Sequence, residues 1–334
     1  MIEFSVVIPV YNVAPCLKRC LDSLRTAADK TMSCAEFICV DDGSTDGSSQ
    51  ILDEYRVKDA RFVVVHQENQ GASVARNVGI DHVRGIWLSF VDSDDVVSPD
   101  YFKAFECVPE KGDITFFPIT FQWPTGVFKT VGLLEPKFVE GAEAVAKTIW
   151  HLVKNEADED VFAYMVNKFI RADLIRENRV RFVQGLSLSE DEIFLFEVAK
   201  NAESVALMPA SVYRYMVNHT GLSSSRNRPC MWLFELYRKI GDKDNRIDFK
   251  RAAYIRAYVL LQEAMIRQCS WAACKSYAAF SRTVVQYLTG GLPMFGFARR
   301  VARVPVRVGV AFCVLRLVVA RLARIARKVA SCFA

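Results

Sequence analysis

The sequence predicts an α/β protein: a doubly wound, mostly parallel sheet, then a mixed α/β half and a helical C-terminal extension. Three observations carry this. Four short apolar runs alternate with amphipathic segments over the first hundred residues, a polar cluster follows each run, and from about residue 229 the pattern is almost wholly helical. With 334 residues, 51% hydrophobic and 24% charged, the chain is globular in composition and long enough for about two domains.

The apolar runs are "FSVVIPV" (4–10), "EFICV" (36–40), "RFVVVH" (61–66) and "GIWLSFV" (85–91). None alternates cleanly with polar residues, so each reads as a strand buried on both faces. Between them Leu17, Cys20, Leu21 and Leu24 recur at helical spacing, then Ile51, Leu52 and Tyr55, then Val74, Val78 and Ile80. Strand–helix–strand alternation of this kind builds parallel sheets. Beyond residue 105, "DITFFPITFQW" and "GVFKTVGLL" flank Pro124-Thr125-Gly126 as a hairpin. "GAEAVAKTIWHLV", part of "NKFIRADLIRENRVRF", and "SEDEIFLFEVAK" read as helices, and "ESVALMP" and "SVYRYMV" as strands. "MWLFELYRKI", "FKRAAYIRAYVLLQEAMIRQCSW" and 274–288 complete a helical end. The expected divisions are 1–105, 106–228 and 229–334.

Ten cysteines without a CxxC pair argue against a zinc knuckle and for reduced thiols. "MIEFSVVIPVYN" has no basic n-region or small-residue cleavage pattern, so it reads as a first strand and the chain as cytoplasmic. After Glu263 there are twelve Lys and Arg and no acid, so with a total charge of +5 the preceding part is net −7. In "FARRVARVPVRVGVAFCVLRLVVARLARIARKVASCFA" the apolar stretch 308–320 is shorter than the ~20 residues of a span and contains Arg316. Arg316, Arg321, Arg324, Arg327 and Lys328 fall on one helical face, opposite Phe312 and Val319. This is the pattern of an interfacial helix, and an anionic membrane surface is the expected partner. The competing reading is a helix attracted to the acidic body. No nucleic-acid-binding module accompanies the basic tail.

In a doubly wound sheet the ligand sits beyond the carboxyl ends of the strands. Tyr11-Asn12, "DDGSTDGS" (41–48), "QENQG" (67–71) and "DSDD" (92–95) all fall on that rim. Taken singly they are weak: Asp-Asp-Gly is a turn signal, Asp46 a helix cap, Arg76 a helix-surface ion-pair partner. Together they make a site. Neither GxxxxGK nor GxGxxG occurs, so a phosphate ligand needs another holder. An Asp-x-Asp pair supplies hard oxygen ligands to Mg²⁺ or Mn²⁺, which can bridge a diphosphate. Downstream, "SEDEIF" offers Glu190, Asp191 and Glu192 as general bases. Ser189 to Glu192 has capping-box spacing, which gives Glu192 a structural role and leaves Glu190 and Asp191.

"VVIPVYN", "VDDGSTDGS", "NQGASVARNVGI" and "FVDSDD", in this order and spacing, resemble the family 2 glycosyltransferases, inverting enzymes of the GT-A fold that use nucleotide sugars. The resemblance runs more loosely through "NKFIRADLIRENRVRF", "SEDEIF" and "YRYMVNHTGLSS", to about residue 226. It implies that Pro9, Tyr11 and Asn12 open the nucleotide pocket, with Tyr11 on the uracil ring. Asp42 or Asp41 would accept from the base, Arg76 would lie near the nucleotide, and Asp92 with Ser93 near the ribose. Asp94 would hold the metal. Asp191 matches the family's base, with Glu190 beside it, and His219 matches a metal or diphosphate ligand of some members. The QxxRW signature of processive synthases is absent, which suits a single transfer per encounter.

The expected activity is therefore transfer of one sugar from a UDP-sugar to a glycan or lipid-linked glycan acceptor, in cell-surface polysaccharide or glycolipid biosynthesis. The expected place is the cytoplasmic face of the membrane, with no nucleic-acid partner. A sugar-nucleotide nucleotidyltransferase is the first alternative, but it needs a Gly-rich basic loop where "VYNVAPCLKRC" stands. A non-catalytic sugar-nucleotide-binding module at the membrane is the second.

Overall fold

The computed structural model describes residues 1–132, 135–154, 161–185, 189–217 and 230–268, together with Ser276 and Phe280. The chain divides into two compact units, Met1–Arg226 and Asn227–Ala334. Expected halves 1–105 and 106–228 thus fall almost entirely within one unit.

The first unit opens with β1 (Phe4–Val10), α1 (Ala14–Asp29), β2 (Ala35–Asp42), α2 (Ser48–Lys58), β3 (Phe62–Gln67), α3 (Ala72–Asp81) and β4 (Trp87–Phe90). The four strands are parallel, in the order β3-β2-β1-β4. Strand order reverses at β1, so the crevice between the ends of β1 and β4 is the topological switch point, where such sheets bind ligands. Phe4, Val6, Ile8 and Val10 join Leu17, Cys20, Leu21 and Leu24 of α1 in the main core. On the opposite face α3 lies so close to β1 that a Cβ on Gly79 would stand 2.3 Å from Val7 Cγ1. Truncating a fully buried leucine such as Leu21 would cost about 2–5 kcal/mol.

Pro9 sits in a central strand, where a missing N–H is normally excluded. The register explains it. Trp87 N–H bonds Glu3 O and Val91 N–H bonds Val7 O, so the odd residues of β1 face β4. The β1–β4 pairing ends at Val7 and Phe90, so no ladder partner is left for Pro9.

The unit continues with β5 (Val96–Val97), α4 (Tyr101–Glu106), β6 (Ile114–Phe116), β7 (Ile119–Gln122), β8 (Phe128–Val131), β9 (Lys137–Glu140) and α5 (Ala142–Lys154). It closes with β10 (Lys168–Arg171), α6 (Ala172–Glu177), α7 (Glu190–Asn201), β11 (Ser204–Leu207) and β12 (Tyr213–Met216). The large sheet extends as β4-β10-β6-β11-β9, with β10 antiparallel to both neighbours and β11 parallel to β6. A second sheet has the order β5-β12-β7-β8.

Two local readings are corrected. The run 113–123, expected as one hairpin arm, is divided: β6 belongs to the large sheet and β7 to the small one. Pro118 stands between them and has no N–H to continue a ladder. Within "NKFIRADLIRENRVRF" the helix α6 is preceded by the strand β10, which seals the parallel half against the rest. Its four residues are too few for a periodicity signal.

The second unit contains α8 (Cys230–Lys243) and α9 (Ile247–Gln268). Asp244 accepts the Arg246 backbone N–H at 2.8 Å and its guanidinium at 2.6 Å in the short turn between them. Phe234, Tyr237, Ile240, Phe249 and Tyr258 are buried, and Phe280 meets the rings of Phe234 and Tyr254 edge-on. No helix among the described residues is long and apolar enough to cross a membrane. The basic tail and most of 274–288 lie outside the described residues.

Candidate active site

The loops after β1 and β2 are tied together by their own polar side chains. Asn12 takes the left-handed conformation at φ 52°, which asparagine tolerates better than most residues. Its N–H donates to Ser44 Oγ at 3.1 Å, and its Oδ1 accepts the Thr45 N–H at 2.8 Å. Asp46, read as a cap for one helix, serves two: Oδ2 accepts the Ala14 N–H of α1, and Oδ1 the Ser48 N–H of α2. This lattice leaves Tyr11 49% exposed on the rim.

Asp41 and Asp42 are the last two residues of β2 rather than part of the turn, and both are buried. Alternation sends them to opposite faces. Asp42 accepts from Gln67 Nε2 at 2.7 Å and from the Gln70 and Gly71 N–H groups at 2.8 Å. Asp41 accepts from the Ser44 N–H at 3.0 Å and Ser49 Oγ at 2.5 Å, and faces His66 Nδ1 at 2.8 Å. Burial pushes the Asp41 carboxyl up, but these bonds outweigh it and hold the group below the usual carboxylate range. Gly43, at φ 75°, turns the chain beside Asn69, where a Cβ would stand 2.9 Å from the backbone nitrogen.

At the switch point one guanidinium gathers three carboxylates. Arg76 of α3 is buried, with Nη2 3.0 Å from Asp92 Oδ1 and Nη1 3.1 Å from Asp191 Oδ1 and 3.7 Å from Glu190 Oε1. It is not a helix-surface ion pair. Its guanidinium lies over the Phe182 ring at 5.4 Å, and Phe182 stacks on Phe194 at 4.0 Å. Asn77, next on α3, exchanges two hydrogen bonds with the Phe182 backbone and fixes that floor.

Asp191 Oδ2 accepts the Met165 N–H at 3.2 Å, whereas Asp191 Oδ1 is buried without a hydrogen-bond partner. Burial raises the Asp191 carboxyl, opposed by Arg76 and reinforced by Asp92. Glu190 is pushed up to about 7 by burial and then by Asp191. A Ser189–Glu192 capping box is not formed: Ser189 has φ 64° and makes no side-chain cap bond. Its left-handed backbone takes the side chain away from the N3 amide that a box requires.

The three acids of "DSDD" have different surroundings. Asp92 pairs with Arg76. Asp95 is buried, accepting from Tyr213 Oη and the Met216 N–H at 2.7 Å each, and so ties the loop to β12. Burial, then Asp92 and Asp94, push its carboxyl well above the usual range. Asp94 is half-buried, its carbonyl accepting from Arg19 at 3.0 Å, and Ser93 is buried.

Among the described residues no group of three or more His, Cys, Asp or Glu is arranged to hold a metal, and His219 lies outside them. The donor chemistry nevertheless fits a hard divalent ion completed by a substrate diphosphate, because such ions often take only one or two carboxylates from the protein. Asp94 with Asp92 would supply those oxygens.

The sequence pointed to Tyr11, Asp92, Asp94, Arg76, Glu190 and Asp191, and the fold brings Arg76, Asp92, Glu190 and Asp191 together. It did not point to the Met165 amide, Asp95 or Tyr213. Asp95 was visible only as a third carboxylate with nothing assigned to it.

Residues 5–105 match the profile of Glycosyl transferase family 2. EpsH of Bacillus subtilis (strain 168), a putative glycosyltransferase by its description, is 34% identical over 233 residues, covering 69% of this chain and 64% of EpsH. The chain thus spans just under two thirds of the length of the curated relatives it first matches. Residues 1–349 of S. aureus TarS, solved in complex with UDP-GlcNAc, superpose with a TM-score of 0.70 at 21% identity, over 90% of this chain and 88% of that one. A mannosyltransferase, PcManGT from Pyrobaculum calidifontis, solved with GDP-Man and Mn²⁺, gives 0.56 at 19% identity, over 98% and 88%.

Proposed function

The chain belongs to the family 2 glycosyltransferases and has the GT-A fold, and on that premise we propose that it transfers one sugar, with inversion, from a UDP-sugar to an acceptor hydroxyl. The observation that carries this reading is the buried, unpartnered Asp191 Oδ1 beside Arg76 at the switch point. A free acceptor lone pair on a carboxylate of raised proton affinity is what a general base needs. Asp191 takes the proton of the acceptor hydroxyl as its oxygen bonds the anomeric carbon and the bond to the diphosphate oxygen breaks. The Met165 N–H on Oδ2 fixes the carboxylate's orientation. Arg76 opposes the protonation of Asp191 that burial favours.

Tyr11 stacks on the nucleobase from the exposed rim, with Pro9 and Asn12 shaping that side of the pocket. Asp42 or Asp41 approaches the base with a lone pair that its internal bonds leave open. Asp92 and Ser93 lie toward the ribose. Asp94 with Asp92 would hold Mg²⁺ or Mn²⁺, which would supply charge neutralisation for the departing diphosphate, and His219 would be the residue to test as a metal or diphosphate ligand. UDP is proposed from the likeness to a UDP-GlcNAc complex, and GDP-sugars enter the test because a GDP-Man complex shares the fold. Acceptors are glycans or lipid-linked glycans of a cell-surface polymer, met at the cytoplasmic face of an anionic membrane that the basic tail binds.

The test is nucleotide release from a panel of UDP- and GDP-sugars with Mn²⁺. Release of UDP from at least one UDP-sugar, lost in Asp191→Asn when an acceptor is present, is the expected result. Release of pyrophosphate from a nucleoside triphosphate and a sugar phosphate instead would overturn it in favour of nucleotidyl transfer.

A further inference from the structure

One face of the small sheet runs from the core to the rim as a row of rings. In the β12–β7 register Tyr213 pairs with Ile119 and Tyr215 with Phe121. Tyr213 and Ile119 are fully buried, whereas Phe121 and Tyr215 are half-buried, and so is Trp123 two residues further on the same face. Phe121 lies 5.1 Å from Tyr215, 6.2 Å from Trp123 and 5.6 Å from Tyr164, which is also half-buried. These four rings form a partly exposed aromatic patch.

Two members of the patch, Tyr164 and Tyr215, are tied to the site through the residues that follow them. Tyr215 precedes Met216, whose N–H holds Asp95 of the acidic loop at 2.7 Å. Tyr164 precedes Met165, whose N–H holds Asp191 at 3.2 Å. The segment carrying Tyr164 is itself pinned from within: the buried Lys168 ammonium donates to Val161 O at 2.6 Å, to Tyr164 O and to Asn167 Oδ1 at 2.9 Å. Burying a lysine is costly without such partners, so its bonds fix this segment against β10. The Met165 and Met216 amides thus hold the segments carrying Tyr164 and Tyr215 to Asp191 and Asp95.

We propose that Tyr164, Tyr215, Phe121 and Trp123 form the acceptor subsite, taking a pyranose ring of the acceptor glycan face-on against the base Asp191. This rests on the transferase reading above and names the chemistry of its second substrate. A pyranose offers an apolar face of C–H bonds to the negative face of an aromatic ring, and its hydroxyls suit the polar tips of tyrosine and tryptophan. An isoprenoid chain would be served equally by plain apolar residues. The interleaving of two phenols and an indole with one Phe favours sugar.

The test is binding of methyl β-glucoside, methyl β-galactoside and methyl β-N-acetylglucosaminide, with farnesyl phosphate as lipid control, read by saturation-transfer NMR on the full chain without nucleotide. Saturation reaching ring C–H protons of at least one glycoside, reduced at least fivefold in Tyr215→Leu and in Trp123→Leu and restored in Tyr215→Phe, is the expected result. The Phe variant separates loss of the ring from loss of fold. Equal saturation in the Leu variants, saturation of farnesyl phosphate alone, or none of any glycoside would overturn the proposal. Because no donor is present, the outcome is independent of the nucleotide-release assay: glycoside binding without UDP release would sink the transferase reading and leave the sugar subsite standing.

Discussion

Arg76 Nη1 stands 3.1 Å from Asp191 Oδ1, yet neither atom has a hydrogen-bond partner. The pair is held by charge alone, inside a floor of Phe182 and Phe194. An ion pair of this kind opposes protonation of Asp191 without occupying the lone pair that the proposed base would use.

Removing the charge should therefore damage fold and rate together. Arg76→Met leaves Asp92 and Asp191 uncompensated in a largely buried site and should cost about 3–5 kcal/mol of stability. Arg76→Lys keeps the charge but loses the fork that reaches both carboxylates, so it should fold while transfer falls at least about tenfold. Urea unfolding and transfer rates for the two variants check this. Wild-type transfer in Arg76→Lys would contradict it.

Asp191→Asn keeps the shape but cannot take the acceptor's proton, so transfer should fall by ~10² to 10⁴ with donor affinity little changed. Glu190→Gln should do less. If Glu190→Gln collapses the rate while Asp191→Asn transfers normally, the base is Glu190.

Both carboxyls are raised, Glu190 to about 7. A base must be deprotonated and the Asp191 carboxyl is raised, so kcat/KM should rise with pH through and above the ordinary carboxylate range and then flatten. For stability the sign runs the other way. The folded site binds protons more tightly than the unfolded chain, so its contribution falls as pH climbs from the ordinary carboxylate range to about 7. Glu190→Gln should accordingly raise Tm more at pH 8 than at pH 5, and thermal melts at the two values measure it.

Asp94→Ala should remove turnover if Asp94 ligates a divalent ion, and EDTA should silence the wild type until Mn²⁺ or Mg²⁺ is restored. Activity unchanged by EDTA, with Asp94→Ala retaining more than about a tenth of it, would refute the metal role.

Deleting residues 297–334 should release the protein from anionic vesicles at ~0.1 M salt while donor hydrolysis persists. Sedimentation with vesicles is the measurement. Binding that survives the deletion would rule out the interfacial helix.

The sequence by itself determined the parallel half and the rim on which the site lies. Runs such as "FSVVIPV" read as strands covered on both faces, and clusters such as "DSDD" follow them at a shared rim. It also narrowed the candidate bases to Glu190 and Asp191, though by way of a Ser189–Glu192 capping box that the structure does not form. Only the tertiary structure decided how the charges are shared. Arg76 meets Asp191 across 115 positions, and Asp95 meets Tyr213 across 118, separations over which no local pattern carries information. The division at Pro118, the strand Lys168–Arg171 and the left-handed Ser189 were likewise outside its reach. Each is a choice between locally similar states that packing against distant residues makes, and propensity over a few residues is too weak to make it first.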